Sequence, residues 1–195
     1  VFAFLGCLVL VPSYPYSVIF MFGCLAPYIT FLNARETNDV WYTAVLSVTK
    51  RESVLGKCLL VVFFQLFQLL FSVPFVLLRN TLNIANNPVG LDATVAWYGF
   101  GLILYAVFDL VFLMTFYKSG YRVGKSFILA AIPMVFLMVA IEATSYIPAL
   151  VWMDSYQPEH LVMQLPILLV GIIFYGAMLT LAYRISAMRY EKVDL

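Results

Sequence analysis

The chain has 195 residues, of which 64% are hydrophobic and 11% are charged, whereas a soluble domain has roughly 45–50% apolar and 25% charged residues. This composition predicts an integral membrane protein and excludes a soluble enzyme or a disordered chain. The 11 basic and 10 acidic residues give a net charge of only +1, which leaves no basic surface for a nucleic acid.

The chain opens on an apolar run, VFAFLGCLVLV, that stops at Pro12. The run is shorter than the roughly 20 residues that span a bilayer, and it lacks the charged start and the cleavage site of a signal peptide. We therefore expect it to be the outer end of a membrane helix that begins before Val1.

Five further segments are long enough to cross a bilayer. They run from Tyr14 to Ala34, Lys50 to Leu78, Ala93 to Tyr117, Lys125 to Ala149 and Leu161 to Ile185. Apolar residues cover all their faces, as is typical of helices in lipid. The prediction is an all-α, polytopic membrane protein in which residues 1–195 form one domain with six transmembrane helices, the first one incomplete.

Lysine and arginine alternate with acidic residues from one connection to the next. The basic group comprises Arg35, Lys50, Arg51, Lys57, Lys118, Arg122, Lys125, Arg184, Arg189 and Lys192. The other connections carry Asp92, Asp154 and Glu159, and Arg79 is the only Lys or Arg near them. Because short loops rich in Lys and Arg stay in the cytoplasm, both termini are expected to be cytoplasmic, in a multi-pass protein of the cell membrane.

A short amphipathic helix is predicted in the connection 33–57. Asn38 or Asp39 provides a cap, and the following apolar side chains recur at spacings of three and four: Val40, Trp41, Ala44, Val45 and Val48. Thr49 and Glu52 then fit a capping box, which starts the next membrane helix at Lys50. The surface helix therefore ends against the rigid start of a membrane helix.

This order of features resembles the membrane subunit of ABC-2 type ATP-binding-cassette exporters, in the bacterial group with short loops. The resemblance rests on Asn38, Asp39, Trp41, Lys50, Arg51, Glu52, Val54, Leu55, Gly56 and Lys57. Ser47 and Val48 stand where the family usually has Leu-Pro. The helix number, the inward termini and the short loops agree over almost the whole chain.

The resemblance implies an ABC-2 permease fold, similar to type V exporters, with a coupling helix at about residues 35–50 that docks on an ATPase. The residues it assigns to coupling are Asn38, Asp39, Val40, Trp41, Tyr42, Val45, Lys50, Arg51 and Glu52. Its implied partners are two ATPase subunits, a second permease copy, identical or related, and the lipid bilayer. ATP and Mg²⁺ would bind the ATPase, so no cofactor is expected in this chain.

The chain is most similar to small bacterial permeases that export peptide toxins and antimicrobial peptides, such as the phenol-soluble modulin exporter. That similarity implies an amphipathic peptide or another hydrophobic compound as cargo. Another interpretation of the surface helix stays open, since Trp41 and Tyr42 are also suited to anchor it in the headgroup layer.

The sequence contains no catalytic constellation. The run SGYRVGKS has one residue too few between its glycines for a nucleotide-binding loop, and no HExxH or GxSxG motif is present. Neither the three cysteines nor His160 has the spacing of metal ligands. We therefore predict a transport subunit, neither an enzyme nor a metal protein.

Four polar residues interrupt the predicted membrane helices, namely Gln65, Gln68, Asp109 and Glu142. An unpaired charge on Asp109 or Glu142 costs at least about 2.5–3.5 kcal/mol there, so these two side chains must face protein or water or be protonated. They are interpreted either as points on the translocation path or as hydrogen bonds that join helices. Asp109 is expected nearer the cytoplasm and Glu142 nearer the outside, which argues against direct pairing within one subunit.

The preferred hypothesis is the permease subunit of an ATP-driven exporter, which forms the translocation path and couples to a separate ATPase. Two alternatives remain. One is a proton-coupled secondary carrier that uses Asp109 and Glu142, and the other is a membrane scaffold that transports nothing.

Overall fold

The computed structural model describes residues 2–38, 42, 45, 48–82, 84, 87–119 and 122–192. Five α-helices are present in this part: α1 (Val18–Glu36), α2 (Lys50–Thr81), α3 (Val95–Lys118), α4 (Val123–Ala143) and α5 (Pro158–Glu191). Three 3₁₀ helices accompany them, at Phe2–Leu10, Thr144–Tyr146 and Pro148–Asp154, and the described residues contain no strand. All five α-helices are long and apolar enough to cross a membrane, which confirms a helical membrane protein.

The helix ends differ from the prediction by up to six residues, and α5 runs from Pro158 to Glu191 instead of from Leu161 to Ile185. Two further differences change which elements form. The first apolar run forms a 3₁₀ helix packed against α2, and α1 begins at Val18 instead of Tyr14. The fourth helix stops at Ala143 instead of Ala149, and 3₁₀ turns follow it. Pro148 explains the second difference, because a residue before proline avoids the helical region, and Ile147 is accordingly extended with φ −93° and ψ 115°.

The bundle has two chemically different ends. At the basic end, the start of α2 meets the end of α5, where Arg51 pairs with Glu191 at 2.6 Å. At the acidic end, the last turn of α2 meets the loop before α3, where Arg79 pairs with Asp92 at 2.8 Å. The basic and the acidic connections that alternate along the sequence therefore lie at opposite ends of one bundle.

Helix α3 lies at the centre of the bundle and packs along α5. The two backbones are in direct contact at Gly99 and Gly171. A Cβ on Gly99 would lie 2.7 Å from the carbonyl oxygen of Ile167, and a Cβ on Gly171 would lie 3.0 Å from Cα of Gly99. Small residues allow this approach, which is how membrane helices gain packing energy without a hydrophobic driving force.

Replacing Gly171 with Leu should separate α3 from α5 and cost about 1–3 kcal/mol or more, because the obstacle is backbone that cannot rotate away. The matched control is Gly176→Leu on the same helix, where an added Cβ meets nothing within 4 Å. Unfolding by sodium dodecyl sulfate in micelles measures both variants. Equal midpoints for the two variants would contradict this packing.

Candidate functional site

The predicted coupling segment is described only in part. Asp39, Val40 and Trp41 lie outside the described residues, so their predicted roles stay predictions. Tyr42 and Val45 are helical, and their side chains are 66% and 72% exposed. They are three positions apart, which places them on the same face of a helix.

The turn that enters this segment is formed at Asn38. Its φ of 54° lies in the left-handed region, which asparagine tolerates better than most residues. The Asn38 N–H donates to the carbonyl of Arg35 at 3.2 Å, and the Asn38 carbonyl accepts the N–H of Tyr42 at 3.1 Å. Asn38 therefore ends α1 on one side and supports the helical turn of Tyr42 on the other.

The capping box at the start of α2 is confirmed. The Thr49 hydroxyl accepts the N–H of Glu52 at 3.3 Å, and the Glu52 carboxylate accepts the N–H of Thr49 at 2.8 Å. Lys50 lies over the ring of Tyr190 near the end of α5, at 5.9 Å from its centroid. Together with the Arg51 ion pair, these contacts hold the first turn of α2 against α5.

Gln65 and Asp109 meet in the interior of the bundle. The Gln65 amide donates to Oδ1 of Asp109 at 2.7 Å and accepts the hydroxyl of Tyr175 at 2.7 Å. Gln65 and Asp109 are fully buried, and Oδ2 of Asp109 has no hydrogen-bond partner among the described residues. The network ties α2, α3 and α5 together at one level of the membrane.

A second set of hydrogen bonds lies closer to the acidic end. The Gln68 amide donates to the carbonyl of Ile19 at 2.8 Å and accepts the hydroxyl of Tyr105 at 2.9 Å. The hydroxyls of Ser72 and Tyr98 are 2.9 Å apart. Gln65, Gln68 and Ser72 therefore share the buried face of α2, as their spacing of three and four residues predicts.

At the acidic end, Arg79 continues this polar face into a buried ionic cluster. Its guanidinium pairs with Asp92, donates to the carbonyl of Val9 at 2.7 Å and donates to the hydroxyl of Tyr16. Arg79 and Asp92 are 1% and 0% exposed. The Asp92 carboxylate also accepts the N–H of Asn87 at 3.2 Å, so the pair lies within a network that satisfies both charges.

Two further carboxylates complete this acidic-end cluster, which we define as Arg79, Asp92, Glu142 and Asp154. Glu142 accepts the N–H groups of Ser17 at 2.9 Å and Leu91 at 2.8 Å. Asp154 accepts the N–H of Asp92 at 2.6 Å. The cluster joins the starts of α1 and α3 to the ends of α2 and α4.

The structure thus separates the four intramembrane polar residues into two groups. Gln65, Gln68 and Asp109 belong to the interior networks, whereas Glu142 belongs to the acidic-end cluster. The expectation that Asp109 and Glu142 do not pair agrees with this placement. Each of the four side chains joins helices, and their predicted place on a translocation path stays a prediction.

Sequence reasoning did not assemble the acidic-end cluster. One signal pointed to it: Arg79 is the only Lys or Arg near the acidic connections. A buried charge requires a counter-ion, and the neighbouring acidic residues were the available candidates. Choosing Asp92 among them required the path of the loop between α2 and α3.

Asp154 makes the acidic-end cluster sensitive to pH. The pKa of Asp154 is raised from an ordinary value of 3.8 to about 6, mainly because burial disfavours the carboxylate. The charges of Asp92 and Glu142 act in the same direction, while the N–H of Asp92 and the Arg79 guanidinium oppose the shift. A carboxyl whose pKa is raised on folding stabilises the protein most when protonated. The stabilisation that protonated Asp154 gives to the folded protein is therefore lost as the pH rises from about 4 through 6.

We expect the Asp154→Asn variant to lose part of the pH dependence of the thermal midpoint. The wild-type midpoint should gain about 2–4 °C from this group between pH 7.5 and pH 5, whereas a neutral amide cannot titrate. Differential scanning fluorimetry at the two pH values measures the difference. An identical pH response of the two proteins would show that Asp154 is not held in this environment.

The described residues contain no group of three or more His, Cys, Asp or Glu arranged to hold a metal ion. Comparisons of the chain with protein-family models, with curated proteins and with solved structures gave no match.

Proposed function

We propose that this chain is the permease subunit of an ATP-driven exporter of the ABC-2 type. It would work in a cell membrane, with its basic end in the cytoplasm, beside a second permease copy and two separate ATPase subunits. Its cargo would be an amphipathic peptide or another hydrophobic compound. The order of residues from Asn38 to Lys57 resembles the order in this family and supports the proposal.

The observation that carries the proposal is the exposure of Tyr42 and Val45 just before a rigid helix start. Two exposed apolar side chains on one helical face suit a groove on another protein. The capping box at Thr49 lies four residues after Val45 in the sequence, so a displacement of this face would act on the chain close to the start of α2. Such an arrangement suits a segment that transmits force.

Helix α2 provides a path from this segment to the far end of the bundle. Its 32 residues extend about 48 Å, at about 1.5 Å per residue. Through Gln65 and Gln68 it holds α1, α3 and α5, and through Arg79 it holds the acidic-end cluster. A rigid-body movement of α2 would therefore open or close contacts at both ends, as alternating access requires.

Docking is tested by the double variant Tyr42→Ala with Val45→Asp, co-expressed with the ABC ATPase subunit that is proposed as its partner. We expect the ATPase to be lost from the detergent-purified complex, because the double variant removes the apolar face and introduces an unpaired carboxylate at the interface. The permease itself should keep its elution volume in gel filtration, because both side chains are exposed.

The control variant is Leu82→Asp, which introduces a carboxylate at a side chain that is 60% exposed but lies at the acidic end. It should leave the ATPase bound. Unchanged co-purification of the double variant would overturn docking at this segment and would favour anchoring in the headgroup layer.

A proton-coupled carrier is the second candidate, and Asp109 is the observation that favours it. Its carboxyl is buried at membrane depth with Oδ2 unbonded among the described residues, which is typical of proton relays in transporters. In vesicles with constant ATP, a protonophore should leave transport intact for the exporter and abolish it for the carrier. Asp109→Asn retains the acceptor for Gln65 and removes the titration.

A further inference from the structure

The 3₁₀ helix Pro148–Asp154 lies at the acidic end of the bundle, in the connection between α4 and α5. None of its side chains is buried, and that of Val151 is 55% exposed. Apolar burial therefore contributes little to its attachment. Hydrogen bonds to the neighbouring elements supply most of it, and a segment of this kind opens locally at a low free-energy cost.

Two polar side chains attach the last turn of this segment to α3 and α5. The Thr94 hydroxyl donates to the carbonyl of Met153 at 2.8 Å. The Gln164 amide donates to the carbonyl of Trp152 at 2.8 Å. Gln164 is fully buried and accepts the N–H of Ala96 at 3.2 Å, so it is itself held by the first turn of α3.

Asp154 provides a third attachment, and this one can titrate. Its Oδ1 accepts the N–H of Asp92 at 2.6 Å. Three charged groups act on it: Asp92 from the loop before α3, Glu142 from the last turn of α4 and Arg79 from the last turn of α2. The Tyr156 phenol lies beside the same charges. An ionised Asp154 is therefore repelled by two carboxylates and attracted by one guanidinium.

The three carboxylates of the acidic-end cluster differ in the bonds that stabilise their charged form. Glu142 accepts two backbone N–H groups. Asp92 pairs with Arg79 and also accepts the N–H of Asn87. Asp154 accepts the single N–H of Asp92, so its charged form is the least stabilised of the three, and its pKa is raised to about 6.

We propose that Pro148–Asp154 is a lid on the acidic-end cluster that closes when Asp154 binds a proton. The neutral carboxyl keeps an oxygen that accepts the N–H of Asp92, and it removes the repulsion by Asp92 and Glu142. Ionisation restores that repulsion, releases the segment and exposes the N–H of Asp92 to water. The lid requires neither cargo nor an ATPase, so it is independent of the proposed transport function.

The experiment is hydrogen–deuterium exchange of the full chain in detergent, read by mass spectrometry at pH 5 and pH 7.5. The rates are corrected for the intrinsic pH dependence of amide exchange. A pKa of about 6 in the closed state and of about 4 in the open state makes closure about tenfold more favourable at pH 5 than at pH 7.5. Corrected exchange of the Asp92 amide, in a peptide covering 87–96, should therefore be about tenfold faster at pH 7.5.

Asp154→Asn should exchange slowly at both pH values, because the amide oxygen still accepts the N–H of Asp92 and no charge forms. Glu159→Gln is the matched control. Glu159 is an exposed carboxylate in the first turn of α5, close to Asp154 in the chain but outside the cluster. This variant should keep the wild-type pH response.

Equal corrected exchange of the wild type at the two pH values would overturn the proposal, and this result needs no variant. An equal change in a peptide from the interior of α3, at 101–113, would assign the response to global unfolding. A pH response that persists in Asp154→Asn would assign it to another group, such as His160 in the first turn of α5. Either of these results would also overturn the lid.

Discussion

Replacing Arg79 with Met is expected to destabilise the protein by about 3–5 kcal/mol, because it leaves the buried carboxylate of Asp92 without its counter-ion. The substitution also removes the hydrogen bonds to the carbonyl of Val9 and the hydroxyl of Tyr16. Unfolding by sodium dodecyl sulfate in micelles, followed by circular dichroism, measures the loss. This is the largest effect that we expect from any single side chain.

The companion variant combines Arg79→Met with Asp92→Asn. It should recover much of the lost stability, since removing both charges of a buried pair is far less costly than removing one. The stability of the Arg79→Lys variant should lie between those of the wild type and Arg79→Met, because lysine keeps the charge but loses the forked geometry of the guanidinium. If the free energy of unfolding of the Arg79→Met variant lies within about 1 kcal/mol of the wild-type value, the ion pair is not buried as described.

The same variant bears on the proposed transport function. If the chain is the proposed exporter and the acidic-end cluster holds its end of the bundle closed, Arg79→Met should raise the ATP-independent leak of cargo from vesicles. Stability and leak are independent measurements, so a variant that is destabilised without leaking would assign the cluster to folding alone.

The Gln65→Leu substitution should lower the free energy of unfolding by about 2–4 kcal/mol. It removes two hydrogen bonds within the membrane, each worth roughly 0.6–2 kcal/mol, and one of them is the bond that Oδ1 of Asp109 accepts from Gln65. A buried polar group that loses its partner pays the desolvation penalty in full. The measurement is again the unfolding midpoint in micelles.

The matched control is Gln68→Leu, one turn along the same buried face of α2. It also removes two hydrogen bonds, to Ile19 and Tyr105, but neither partner is a carboxyl group. The difference between the two variants therefore measures the contribution of Asp109. Equal costs would show that the Asp109 carboxyl is solvated or neutral in the folded protein.

Local features were predictable from the sequence. Five of the helices, the capping box at Thr49 and the alternation of charge between the two ends depend on composition and on neighbours within four residues. The predicted common face of Gln65 and Gln68 follows from helix geometry in the same way. The extent of α4 was overestimated because hydropathy continues past Ala143, whereas the backbone restriction before Pro148 ends the helix.

The partners of the buried polar side chains were decided only by the tertiary structure. Hydropathy placed Asp109 and Glu142 within membrane helices, where they had to face protein or water or be protonated, but several partners were compatible with each of them. The crossing of α2 over α3 and α5 selected Tyr175 and Asp109 for Gln65, and the loop before α3 selected Asp92 for Arg79. Periodicity along one chain specifies which face of a helix is buried, whereas the contacts across that face depend on how separate helices are placed in space.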